Sequence, residues 1–386
     1  MAIMGVPLPT GSDVLLTPPD EAEARWCATG IVAAARCPSG LTELQRLLIA
    51  AIVPALTGFE IDVAAVEAEV VARPLGAQTF AEGLARRNSA FRGRIVQIMV
   101  LVQLVTDPPD PVAAHSVAEF AAALSVHDDL ERLIGEYAIG GRQLAGIDFD
   151  RNGYLRDFDG SRTSNLHVST ALTGAWEPVT DDPALAGRWA SLADLPEGTL
   201  GRGVHEFYRA RGFVAPGNPG SAPPLLAQHD WVHVLADYGT KVESEIEVFA
   251  LIARANDDLR AFSLLAMVVS LFETGSVASG AGLFEADRGH LSQPGMTVRL
   301  ADALRRGALC TGSTDFLGLD WFELADRPVS VVRAEFGMPP KHERAIAAGS
   351  VGPWEAGGIS PFQINAGRQL AAAEGREYRA PGALSV

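Results

Sequence analysis

Gln228-His229-Asp230-Trp231-Val232-His233-Val234-Leu235-Ala236-Asp237-Tyr238-Gly239-Thr240, with residues 241–252 after it, is the stretch that decides how the rest of the chain is read. Pro223 and Pro224 suit a helix entry, because the fixed φ of proline fits the first helical turn. Ala227, Trp231, Val234 and Tyr238 recur at 4-3-4 spacing as an apolar stripe. His229, Asp230 and His233 share another face, since residues three and four apart point the same way. Gly239 suits the position after a helix end, and Thr240 with Glu243 matches a capping box, so a second helix is expected from the turn. Its stripe is Val242, Glu245, Phe249 and Ile252. At about 1.5 Å per residue, His233 before the turn and Glu245 after it reach similar heights. A carboxylate on an apolar stripe needs a partner, because unpaired burial is costly. Two imidazoles and two carboxylates so placed suit a divalent cation with N and O ligands, zinc first. Periodicity alone supports equally the polar face of an amphipathic helix, with Glu245 half exposed.

Working outward, the 386 residues are 48% hydrophobic and 20% charged, enough for two or three domains with cores of their own. Basic residues number 31 against 47 acidic ones, and the resulting charge of −16 argues against a nucleic-acid partner. Cys27, Cys37 and Cys310 form no framework and no CxxC pair, which fits a reducing compartment. The first residues lack the basic and apolar segments of a secretory signal. Apolar runs at 95–105 and 261–272 fall short of the roughly 18–20 residues of a bilayer span. A cytoplasmic protein, at most peripheral on a membrane, is expected.

Residues 1–20 are Pro/Gly-rich and read as a loose arm. Residues 21–145 read as an N-terminal helical domain: Leu44, Leu47, Leu48, Ala51 and Ile52 recur at helical spacing behind the N-cap candidate Thr42. The helical pattern resumes over 78–88, 95–105, 112–124 and 129–138, with an Asp/Pro cluster at 107–111 as a break. Residues 146–191 read as an irregular linker, 192–340 as a second helical domain, and 341–386 as an Ala/Gly-rich tail over the surface. No alternation is long enough for a sheet. The expected fold class is mainly α, an N-terminal helical bundle plus a second all-helical metal-binding domain.

Two flanking segments add a resemblance. The spacing His229-Asp230-x-x-His233-x11-Glu245 is similar to the H-D-x-x-H-x11-E signature of the Coq-four family of ubiquinone (coenzyme Q) biosynthesis proteins. Upstream, Leu195-Pro196-Glu197-Gly198-Thr199-Leu200-Gly201-Arg202 resembles that family's LPEGTLG(R) run. Downstream, Trp321-Phe322-Glu323 and Pro328-Val329-Ser330-Val331-Val332-Arg333-Ala334-Glu335-Phe336-Gly337 resemble its closing stretch. The resemblance spans about residues 192–340, less than half the chain. It implies a mostly helical domain in which His229, Asp230, His233 and Glu245 hold zinc or another divalent metal, and it makes the same four the candidate catalytic residues. It also implies a prenylated aromatic or prenyl lipid as ligand, a membrane surface and a biosynthetic complex or homo-oligomer as partners, and support for oxidative removal of a ring carboxylate. Asp230, next to His229, is open to either a ligand role or an orienting one. Residues 21–145 resemble, in spacing and composition, a tellurite-resistance-B-like bundle. The N-terminal part and the tail depart from the shorter Coq-four members, which leaves substrate and pathway open.

Three functional readings follow: a metal-dependent decarboxylating lyase or oxidoreductase, a non-catalytic prenyl-lipid scaffold with a structural metal, and a His-Asp-type metal phosphohydrolase. The last would recruit His205 and either Asp257 or Asp258. Asp148, Asp150, Asn152 and Asp159 sit at calcium-loop spacing, against the plainer reading of an Asx-rich turn. Tyr238 and Arg202 are polar neighbours for which structural roles are favoured. The stretch 262–272 suits a lipid tunnel or, more simply, a buried helix. His115, His127, His167, His290 and His342 read as surface or linker residues. The absence of a Gly-x-Ser-x-Gly elbow and a Walker loop leaves serine-hydrolase and nucleotide-hydrolase readings without support.

Overall fold

A computed structural model describes residues 19–36, 38–108, 110–126, 182–219, 221, 224–256, 265–266, 268–274, 288–310 and 314–380. The fold is mainly α, and among the described residues there is no strand, only an isolated bridge between Thr199 and Pro328.

The N-terminal layer is α1 (Glu21–Ala35), α2 (Glu43–Thr57), α3 (Val63–Ala72), α4 (Ala77–Gly83), α5 (Ser89–Leu104) and α6 (Pro111–Ala123). Five of these six starts are written in side chains that accept from free backbone N–H groups: Asp20, Thr42, Asp62, Asn88 and Asp110. Thr42 forms a full capping box with Gln45. From Phe91 to Leu104, Arg92 is the single residue of α5 not buried, so the apolar run at 95–105 is a core helix. On α1, Gly30 lies under the Phe80 ring, where a Cβ would come within 2.2 Å of Phe80 Cε2. Gly30→Ala should therefore destabilise the chain by about 1–3 kcal/mol through overpacking. Urea unfolding checks this, and an unchanged midpoint would show that Phe80 can move aside. The expected helix at 129–138 lies outside the described residues.

The second part comprises α7 (Pro183–Ser191), α8 (Leu200–Arg211), α9 (Pro224–Ala236), α10 (Val242–Ala255), α11 (Met296–Leu309), α12 (Val329–Glu335), α13 (Glu343–Ala347) and α14 (Pro361–Ala373). Most of the expected linker lies outside the described residues, but its end is helical. Asp182 caps α7 by accepting from the N–H groups of Ala184 and Leu185, and Pro183 occupies the first turn, so this Asp/Pro pair is a helix start. Residues 341–380, expected as a surface tail, contribute α13 and α14 and lie against the turn between α9 and α10.

One cluster of touching buried side chains runs from Cys27 to Met338. Helix α11 packs on both α10 and α2, and its Gly307 lets it approach so closely that a Cβ would meet Leu251 O at 2.3 Å. From α5, the buried Arg94 donates to Ala253 O at 3.3 Å and to Asn256 O, at the C-terminal end of α10. The two motif-like segments flanking the hairpin are bonded to each other: Leu200 N–H to Arg327 O, Gly201 N–H to Ala325 O, and Val329 N–H to Gly198 O. Trp321 then stacks on Trp231 of α9, ring centroids 5.9 Å apart and 5° from parallel. Arg333 donates to the Leu235 and Val234 carbonyls, and Lys341 Nζ donates to Asp237 O at 2.8 Å. Cations thus satisfy the carbonyl end of α9, where the helix dipole favours positive charge.

Candidate metal centre

Helices α9 and α10 form the expected hairpin, but its turn is built differently from the sequence reading. Asp237 is the left-handed residue, with φ 65°, and Tyr238 N–H reaches back to His233 O at 3.0 Å, a Schellman closure with Asp in the usual glycine position. Thr240 is not the N-cap of α10; Lys241 is, without a side-chain bond. The Thr240 hydroxyl instead donates to Gln363 Oε1 at 2.6 Å and accepts from Arg211 Nε at 2.9 Å. Gly239 is required by close approach: a Cβ there would lie 2.7 Å from Gly358 Cα. Its N–H bonds Val351 O and that of Thr240 bonds Gly358 O, both at 3.0 Å, so residues 351–358 strap the turn.

Nor is α9 amphipathic. Its apolar stripe is buried, and so are Gln228, His229, Asp230 and His233, so the solvated-face reading is overturned: Tyr208 of α8 and Glu245 of α10 lie against the polar side. His229 Nε2 lies 3.2 Å and His233 Nε2 3.3 Å from Glu245 Oε2. The three donor atoms lie within 4.8 Å of one another, and the group could hold a metal ion. His233 is 0% exposed, and His229 and Glu245 are 4% each. His233 Nδ1–H donates to Gly239 O at 2.8 Å, which leaves the Nε2 lone pair turned towards the centre. That Nε2 is buried with no hydrogen-bond partner, since it is close to Glu245 but out of line for a bond. The His229 ring stacks on Phe249, centroids 5.1 Å apart, and Phe207 lies 5.5 Å from the His233 ring, so apolar neighbours fix both imidazoles.

Asp230 stands beside this trio. Its Oδ1 is 3.7 Å from His229 Nε2, while its Oδ2 accepts a 2.5 Å hydrogen bond from the Tyr208 hydroxyl on α8. Burial raises the Asp230 carboxyl above its ordinary range, with His229, His233 and the Tyr208 bond opposing. Burial and the Asp230 charge push the Tyr208 hydroxyl well up, so it remains a donor. Burial alone would raise Glu245 too, but the adjoining His233 and His229 imidazoles outweigh it and hold the carboxyl low.

The donor set fits a divalent ion. Two imidazoles and a carboxylate are zinc-type ligands, His233 presents an orphaned buried nitrogen, and its other nitrogen is fixed by a backbone carbonyl, as metal-bound histidines commonly are. Tyr238 points away, under the Arg306 guanidinium at 4.9 Å, and Arg202 pairs with Glu206 and Ala193 O. His205 is not among the converging donors; Asp257 and Asp258 lie outside the described residues. So do His127, His167 and the calcium-type positions Asp148, Asp150, Asn152 and Asp159. His290 was misjudged as surface: it bonds Glu243 at 2.8 Å and is largely buried. Within 262–272, Leu265, Ala266, Val268, Val269 and Phe272 are core residues. Sequence reading missed Tyr208, Phe207, Phe249 as a ring support and Gly239 as a carbonyl.

No family model matches the chain, and no curated protein matches it. Among solved structures, it is similar to a candidate ubiquinone biosynthesis protein from Nostoc punctiforme PCC 73102, with 20% identity over 64% of this chain and 97% of that one, at a TM-score of 0.28. No helix among the described residues is long and apolar enough to cross a membrane.

Proposed function

We propose that the chain binds a divalent metal, zinc first, through His229, His233 and Glu245, with Asp230 alongside, and acts on a prenylated aromatic acid. The convergence of three buried donors on one point carries this reading. The aromatic substrate class comes from the Coq-four resemblance of residues 192–340, and with it the loss of a ring carboxylate. A bound dication would supply Lewis-acid stabilisation of negative charge on a carboxylate or phenolate oxygen. The chain's own contribution is to hold His233 in one tautomer through Gly239, to keep Glu245 ionised, and to exclude water by burying every donor.

Metal analysis of purified wild type and His233→Ala tests the centre. Near-stoichiometric metal in the wild type and little in the variant is expected; equal contents would remove the assignment. Carbon dioxide release from prenylated hydroxybenzoic acids then tests the chemistry.

The burial itself favours a second reading, since closed sites are characteristic of structural metals. In that case the chain is a prenyl-lipid scaffold, and metal with co-purifying prenyl lipid but no decarboxylation would decide for it. The phosphohydrolase reading gains nothing from the geometry, because His205 does not join the donors.

A further inference from the structure

Helix α8 supplies no ligand, yet two successive residues on it touch the candidate centre. Phe207 packs by His233, and the Tyr208 hydroxyl donates to Asp230 Oδ2 at 2.5 Å. We propose that Tyr208 is a positioning residue of the metal centre, holding one Asp230 oxygen so that the other faces His229 and the ion. This rests on the metal reading given above.

A carboxylate with one oxygen free can turn about its terminal torsion and exchange the two oxygens. A hydrogen bond from a neutral hydroxyl to a carboxylate is short and strong, and the observed length is in that class. The Tyr208 ring is itself fixed, with Trp189 at 4.9 Å and Phe213 at 5.6 Å between centroids. Asp230 is therefore clamped at Oδ2, and Oδ1 is the oxygen placed 3.7 Å from His229 Nε2. Both partners are buried, Tyr208 at 4% and Asp230 at 6% exposure, so water does not compete for the clamp. Asp230 then presents a single fixed oxygen to the centre, as a ligand or as an acceptor beside it.

Cobalt(II) binding to the full-length chain, read by titration and by the visible spectrum, tests this with wild type, Tyr208→Phe, Asp230→Asn and the double variant. Tyr208→Phe keeps every ring contact and removes only the donor. It should weaken cobalt binding about 10–100-fold, the range for losing an outer partner of a ligand set, and alter the spectrum. Asp230→Asn should alter the spectrum as well, and adding Tyr208→Phe to it should change nothing further. The proposal is overturned if Tyr208→Phe matches wild type, if Asp230→Asn leaves the spectrum unchanged, or if the Tyr208 effect persists in the Asp230→Asn background. Wild type that takes up no cobalt would instead remove the metal reading and this inference with it.

Discussion

Zinc added to chelator-treated wild type is expected to raise its unfolding temperature, whereas Glu245→Ala should not respond. A ligand that binds only the folded chain stabilises it by mass action, about 2.7 kcal/mol at a hundredfold excess over the dissociation constant. Glu245 Oε2 is the atom both imidazole nitrogens face, so without it two nitrogens remain and the site is incomplete. The shift should also depend on pH, with a definite sign. Metal and protons compete for the same imidazole nitrogens, so acidification releases the metal. Glu245 is held low by its surroundings and stays ionised in this interval, so it does not cause the acid loss. Zinc-linked stabilisation should thus be full at about pH 7.5 and largely gone by about pH 5. Melting curves with and without zinc at both pH values check this; an equal shift in wild type and variant would place the ion elsewhere.

Arg94→Leu should cost about 3 kcal/mol, because it strands carbonyls that are buried away from water. Arg94 reaches from α5 to Ala253 O and Asn256 O, and leucine fills part of its space but offers no N–H. Since the apolar cluster is continuous from Cys27 to Met338, the loss should appear in one cooperative transition. Urea unfolding followed by tryptophan fluorescence and by far-UV circular dichroism measures it. Coincident transitions at a lowered midpoint are expected; an unshifted midpoint would mean that the bundle and the hairpin hardly support each other.

The hairpin was legible because its chemistry is local. His229 to His233 and the distance to Glu245 are fixed by helical rise and one short turn, so arithmetic on the sequence places them together. Thr42 as an N-cap was legible for the same reason. The turn was misread because Asp237 adopts a left-handed conformation that glycine usually fills, and because Thr240 finds a partner 123 residues away in Gln363. Helix α1 hides its periodicity because most of its residues are buried. Tyr208 was invisible as a site residue, since only the crossing of α8 over α9 brings it to Asp230. Arg94 was invisible likewise, its carbonyl partners lying 159 and 162 residues further on.

The Gly239–Gly358 contact has a consequence for biosynthesis. The carbonyl that fixes the His233 tautomer belongs to a turn whose strap is 118 residues further along, as the Thr240–Gly358 pair measures. During translation, both histidines and Glu245 emerge long before residues 351–358 exist. Nascent chains therefore carry all three donors before the segment that straps their turn has been made.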